Sequence, residues 1–312
     1  MNLKPSENTQ LYGMYDFFKE ITSLYNKKKM PTKILLSGKK GLGKATLAYH
    51  VINYIFSSNE EFKYDSSTHT INKNNKSFKL LQNNSHPNFY LIDLFNDKKN
   101  IDISQVREMI NYTNKSSFND KAKFILIDNV ENLNKNSVNA LLKVIEEPNE
   151  NVFFILINNN EKKILPTLKS RCLTFKVNFT FNQSMFISNQ ILNENLFDLI
   201  NHDLINYYNT PGEIINLINF SQDKSINLKD YTLVNFLKLL IDNGYYKKSM
   251  LVKKLLINFI ELFFLKEYML SNTKKLMFNL YQNFIFKIHN TEIFNLDEES
   301  LFLEFRAKLL NG

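Results

Sequence analysis

From Asp16 to about Lys27 the apolar residues Phe17, Phe18, Ile21 and Leu24 recur at the three-and-four spacing of one helix face. KILLS (33–37) breaks that period: it is a short apolar run, the pattern of a strand buried on both faces. A glycine-rich loop follows over 38–43, and a helical pattern resumes from Lys44 to about Phe56. Residues 58–86 (SNEEFKYDSSTHTINKNNKSFKLLQNNSH) are polar with little period and read as a flexible insertion. Order restarts in HPNFYLID (86–93), with a strand at about 89–93. ISQVREMINYT (103–113) puts Ile103, Val106 and Ile110 on one helix face. KFILID (123–128) and VFFILI (152–157) are buried strands. Between them NSVNALLKVIEEP (136–148) is a helix that Pro148 closes, because proline has no N–H to extend it. LPTLKSRC (165–172) leads into a last short strand, LTFKV (173–177).

Strands alternating with helices to about residue 177 predict an α/β domain built on a parallel sheet covered on both faces. Beyond it strand signals vanish. Residues 178–226, containing TPGEIINLINF (210–220), read as a small helical domain, and 227–312 as a second, larger helical domain. The most apolar long stretch, LVKKLLINFIELFFLKEYML (251–270), is interrupted by Lys253, Lys254, Glu261, Lys266 and Glu267. It therefore reads as an amphipathic helix packed in protein and not as a membrane span. The start, MNLKPSENTQ, has no apolar core of a signal peptide. Cys172 is the only cysteine, so no disulfide and no cysteine zinc site forms within the chain. A cytoplasmic protein is the simplest expectation.

Composition adds two points. The formal net charge of +8 fits an acidic partner such as nucleic acid, and fits equally a chain that has drifted towards lysine. Of 39 basic side chains only three are arginine, at positions 107, 171 and 306. Where lysine has taken nearly every place that needs only charge, a surviving arginine is a candidate for a place that needs the planar fork.

GKKGLGKATLAYH (38–50) is almost a phosphate-binding loop. Glycines let the backbone close around phosphate oxygens with N–H groups pointing inward, the helix N-terminus adds positive potential, and the lysine reaches the outer phosphates. Gly38, Gly41, Gly43 and Lys44 fit this pattern. Ala45 stands where the pattern asks for the Ser or Thr hydroxyl that holds magnesium. Thr46 has a hydroxyl but lies about 100° round the helix. In KFILIDNVENLN (123–134) Asp128 ends an apolar strand, as does the aspartate that helps hold magnesium in such sites. The next residue is Asn129, and an amide cannot act as general base; Glu131, two further on, is a poor substitute. Two groups needed for hydrolysis are thus missing, each at its own motif. In Ser170-Arg171-Cys172 the guanidinium could reach a phosphate on a neighbouring subunit, although spacing alone favours a surface or salt-bridged arginine.

GKKGLGKATLA, HPNFYLID, ISQVREMI, KFILIDNVENLNKNSVNALLKVIEEP and ILPTLKSRCLTF, in this order and spacing, resemble the bacterial clamp-loader AAA+ proteins. The resemblance is strong over about residues 5–177 and weak over 178–225; the last block matches only in being helical and in its position. It implies an AAA+ P-loop domain at 1–177, a small helical lid at 178–226 and a helical oligomerisation collar at 227–312. It implies a multisubunit loader that uses ATP to open a sliding clamp and set it on primed DNA. The implied partners are motor subunits (gamma/tau), a delta subunit, the clamp and DNA through the complex, and no membrane. With Ala45 and Asn129 the chain looks like the member that hydrolyses nothing and supplies Arg171, with Ser170 and Cys172 as its motif, to the neighbouring motor's site. Magnesium-ATP is then expected on that neighbour. Gly38, Gly41, Gly43, Lys44, Thr46 and Asp128 would be a degenerate nucleotide site, and no zinc is expected, since 58–86 has no cysteine. Glu213 falls about where relatives often offer an arginine to the nucleotide, and Arg107 reads first as a structural contact within the sheet domain and second as a contact to a partner. The alternatives are an ATP-hydrolysing motor subunit, which Ala45 and Asn129 oppose, and a small-molecule P-loop kinase, which leaves NALLKVIEEP and LPTLKSRC unexplained.

Overall fold

In the computed structural model, which describes residues 4–94, 98–115, 118, 121–294 and 296–310, the five apolar runs become β1 (Lys33–Ser37), β2 (Phe89–Ile92), β3 (Lys123–Ile127), β4 (Val152–Asn158) and β5 (Leu173–Lys176) of one sheet. Their order is β2-β3-β4-β1-β5, and every pairing is parallel. The continuous apolar runs are explained by two cores. Ile34, Leu36, Phe124, Leu126, Ile155 and Ile157 face one of them. Leu35, Ile125, Ile127, Phe154 and Leu156 face the other. Side chains alternate between faces along a strand, and here both faces are buried. Helices α1 (Tyr15–Asn26), α2 (Lys44–Phe56) and α3 (Lys76–Gln82) cover the first face, and α4 (Ile103–Thr113), α5 (Lys135–Glu146) and α6 (Pro166–Lys169) the second. This is an α/β architecture on a five-stranded parallel sheet, followed in sequence by helices only among the described residues.

Residues 58–86 are not the flexible insertion expected from their polarity. Tyr64, Ile71, Phe78 and Leu81 are buried in the first core, and polar side chains order the backbone between them. Asn75 is buried and caps α3 by accepting from Phe78 N at 2.6 Å, while its own amide receives from Asn53 at 3.0 Å. Glu60 accepts from Lys76 N and Ser77 N at the same helix end. His50 Nδ1 lies 3.0 Å from the Tyr64 hydroxyl.

Contacts divide the chain into two compact units. The first is Met1–Ile191 together with Thr210–Glu213, and holds the sheet and most of α7 (Phe181–Leu192). The second is Leu192–Asn209 together with Ile214–Gly312. It contains α8 (Leu196–Leu199), α9 (Pro211–Asp223) beyond its first turn, α10 (Leu233–Asp242), α11 (Tyr245–Lys248), α12 (Met250–Leu270), α13 (Lys274–Phe294) and α14 (Glu298–Phe305). Its core is aromatic: Phe236 meets Phe259 edge-on at 5.2 Å, and Phe305 touches Phe263, Phe264 and Phe284. The charges that interrupt α12 are paired at its margin, Lys253 with Glu298 and Lys266 with Asp203. Among the described residues no helix is long and apolar enough to cross a membrane.

Candidate functional site

Parallel pairing brings the C-terminal ends of all five strands to one edge of the sheet, where open α/β folds bind ligands. Ser37 at the end of β1 is level with Asn158 at the end of β4, and Ile92 of β2 is level with Ile127 of β3. The glycine loop leaves β1 at this edge and runs into α2, with Gly41 at φ +85° and Gly43 at φ +88°. These values are left-handed, and glycine alone adopts them freely. Lys44 is buried beneath the loop, and its ammonium donates to the carbonyls of Gly38 and Lys39, each at 2.7 Å. Burial pushes its pKa down to about 8, against the pull of Asp128 and Glu131. Ala45 packs against the first core and offers no oxygen. The Thr46 hydroxyl accepts from Asn8 Nδ2 at 3.4 Å.

Asp128, just past β3, is held from two sides: Asn129 N donates to Oδ1 at 2.7 Å and Asn159 Nδ2 at 3.3 Å. Burial, with Asp93 adding like charge, pushes its carboxyl up to about 6. Asn129, at φ 55°, uses both ends of its amide. It donates to Asp93 Oδ1 at 2.7 Å and accepts from Asn159 Nδ2 at 3.0 Å. A carboxylate at 129 would lose the donor and face Asp93 with like charge, so the neighbourhood is built for an amide. Glu131 is buried on the turn after β3 (Val130–Asn132) and accepts from Asn159 N at 3.0 Å. Its Oε2 has no hydrogen-bond partner among the described residues.

The outer wall of the loop is covered by the first turn of α9, within the same unit. Gly212 N donates to Gly41 O at 2.9 Å, and Thr210 Oγ1 donates to Lys40 O at 2.9 Å. Lys39 pairs with Glu213 at 2.9 Å. The backbones approach so closely that a Cβ on Gly212 would lie 2.6 Å from Gly41 Cα. Glu213 is therefore a latch on a lysine of the loop. One part of a magnesium-nucleotide site does not fit: Ala45 offers no hydroxyl ligand, and the first turn of α9 lies against the loop. Among the described residues no three His, Cys, Asp or Glu side chains converge as a metal site would need.

Arg171 follows α6 on the exposed side of the sheet domain. Its Nε donates to Glu146 Oε1 at 2.9 Å and its Nη1 donates to Thr167 O at 2.9 Å, while Nη2 stands 2.8 Å from the same Oε1 as an ion-pair contact. A guanidinium carries five N–H groups, so N–H groups on Nη1 and Nη2 stay outside these two hydrogen bonds. Ser170 Oγ donates to Thr167 O at 3.1 Å. Cys172 packs partly buried against the second core, and burial pushes its thiol up to about 11. Arg107, expected as a contact within the sheet domain, is instead exposed on α4, and among the described residues none bonds its guanidinium.

The structure brings Gly38, Gly41, Gly43, Lys44 and Asp128 to one edge, while the Thr46 hydroxyl is engaged with Asn8 and Arg171 lies among α5 and α6. Sequence reasoning missed Asp93 and Asn159. Both are polar residues directly after parallel strands, a signal that marks the ligand edge once the strand order is known.

A family described as DNA polymerase III, delta subunit, matches residues 14–180, more than half of the chain and every motif above. DNA polymerase III subunit delta' of Buchnera aphidicola subsp. Schizaphis graminum is 30% identical over 162 residues, covering 51% of this chain and 47% of that one. DNA polymerase III subunit gamma of the same organism is 30% identical over 184 residues, covering 59% and 48%. A solved structure of a DNA polymerase III gamma subunit-related protein from Thermotoga maritima covers 95% of this chain and 92% of its own at a TM-score of 0.40 and 16% identity. The chain's matches span about half or less of the length of these curated relatives. With more than half of its length matched by the family model, the chain belongs to the DNA polymerase III delta-subunit family.

Proposed function

We propose that this chain is the delta-prime subunit of a DNA polymerase III clamp loader, a scaffold that hydrolyses no nucleotide itself and donates Arg171 in trans to the ATP site of a neighbouring motor subunit. In that role it joins gamma/tau and delta subunits, and the complex loads the sliding clamp onto primed DNA during replication. The supporting observation is the contrast between two cations. Lys44 is buried and bonded to its own loop, whereas Arg171 is exposed, with N–H groups on Nη1 and Nη2 outside its two hydrogen bonds. A planar fork of that kind suits the charge that develops on a phosphoryl group in transfer. The matches to gamma subunits motivate the other reading, a motor subunit; Ala45 and the Asn129–Asp93 pair weigh against it.

The purified chain is expected to show no ATP turnover above background, and Ala45→Ser is expected to restore none, because Asn129 remains. Turnover by either protein at a motor's rate contradicts the proposal. In a complex reconstituted with motor, delta and clamp subunits, Arg171→Ala should leave assembly intact and lower DNA-stimulated ATP hydrolysis and clamp loading. Unchanged loading removes Arg171 from the mechanism.

A further inference from the structure

We propose that Glu146 is a positioning residue for ATP hydrolysis on the adjoining subunit: by gripping one edge of the Arg171 guanidinium it turns the unspent end of the fork outward. The inference rests on the reading of Arg171 given above. Glu146 Oε1 receives Nε–H and stands 2.8 Å from Nη2 as its ion-pair partner, and Thr167 O receives an Nη1–H. Two hydrogen bonds and an ion-pair contact on a planar group restrain its plane and its rotation within that plane. N–H groups on Nη1 and Nη2 stay outside those hydrogen bonds, and the far end of a fork so held can meet a phosphate with two prongs. Without Glu146 one tether remains, and the long, half-exposed side chain regains its rotamers.

A second observation favours a role beyond stability. Glu146 is the last residue of α5, and another glutamate, Glu147, follows it as the C-cap. A helix C-terminus carries negative potential and favours cations, so two carboxylates there oppose the helix. An exposed ion pair returns little stability. Local rules broken without gain in the fold mark sites kept for another reason, and holding Arg171 in one orientation is a reason the geometry supplies.

The test uses the full chain reconstituted with motor, delta and clamp subunits, reading kcat and KM for ATP in the presence of primed DNA, with assembly followed by sedimentation. Glu146→Ala is expected to lower kcat at the adjoining site by about tenfold, with assembly and KM within about twofold, because the fork acts on the transition state and not on bound ATP. Glu146→Gln should recover most of that loss, since the amide oxygen can take the place of Oε1. In the Arg171→Ala background, Glu146→Ala should add nothing, because its effect passes through the arginine. If Arg171→Ala itself leaves kcat unchanged, the trans-acting role falls and this inference with it. If Arg171→Ala lowers kcat but Glu146→Ala leaves it unchanged or raises it, the positioning role alone falls. Additive losses in the double variant also overturn it.

Discussion

Lys44 and Arg171 both donate to main-chain carbonyls close to them in sequence, yet one is closed off and the other is open. Lys44 lies beneath its loop, among Asp128 and Glu131, and burial holds its pKa down. Around it, Glu131 Oε2 apart, the polar groups are partnered from the chain: Asn129 with Asp93, Asn159 with Asp128 and Asn129, and Gly41 O with Gly212 N. Arg171 is tethered on two sides and left unsatisfied on the third. A buried polar network is stable only when it is complete, whereas an exposed cation can leave donors to water until a partner arrives. The comparison teaches that burial fixes one cation through its own loop, while exposure leaves the other with N–H groups that a partner can still reach.

The largest expected effect lies on the open side. Arg171→Lys keeps the charge but not the fork, and single-turnover hydrolysis at the adjoining site should fall by about 10²-fold or more, approaching the loss in Arg171→Ala. If lysine substitutes freely, the fork geometry is irrelevant and charge alone suffices.

On the closed side the expected effects are on stability. Gly41→Ala combines a left-handed φ with a Cβ only 2.3 Å from Thr210 Oγ1. It should cost about 2–4 kcal/mol in urea unfolding. Gly43→Ala, at φ +88° but with its nearest neighbour at 4.0 Å, should cost about 1–2 kcal/mol, the backbone share alone. Equal losses at both positions would mean that the first turn of α9 does not press on the loop in solution.

A smaller effect tests the Asp128 network. Its carboxyl is raised to about 6 from an ordinary value near 3.8. Below the lower value the group is protonated in both states and carries no penalty. As pH rises towards about 6 the unfolded chain releases the proton that the folded chain keeps, and stability is lost; above 6 the loss is complete. Asp128→Asn retains an acceptor for Asn129 N and removes the charge. It should therefore be more stable than the parent by about 1–3 kcal/mol at pH 7.5 and close to it at pH 4. A difference that does not change with pH would show that Asp128 is ionised in the fold at its ordinary value.

How much of this was readable in the sequence depended on which force ordered each part. β1, β3, β4 and α2 were legible because hydrophobic burial fixes them, and burial writes itself as runs and periods. Residues 58–86 were not, because Asn75, Asn53 and Glu60 order that segment through hydrogen bonds. The site divides the same way. Gly38 to Lys44 and Asp128 lie in local motifs. Asp93 reaches Asn129 across 36 positions and Thr210 reaches Lys40 across 170, and only the strand order and the chain path join them. The Arg171–Glu146 pair, 25 positions apart, needed the turn from α5 through β4 to α6 before the two could be seen as one unit.

Cys172 has a practical consequence. With its thiol pushed up to about 11, roughly one side chain in ten thousand is thiolate at pH 7, and the thiolate is the form that alkylating reagents capture. Cys172 is expected to label slowly with maleimide dyes, so a cysteine introduced on an exposed helix should take most of the label, and the labelling rates of the two measured side by side check it. The residual, slow labelling of Cys172 itself is a clock placed one residue from Arg171. Its rate in the free chain and in an assembled complex would report when that surface becomes covered.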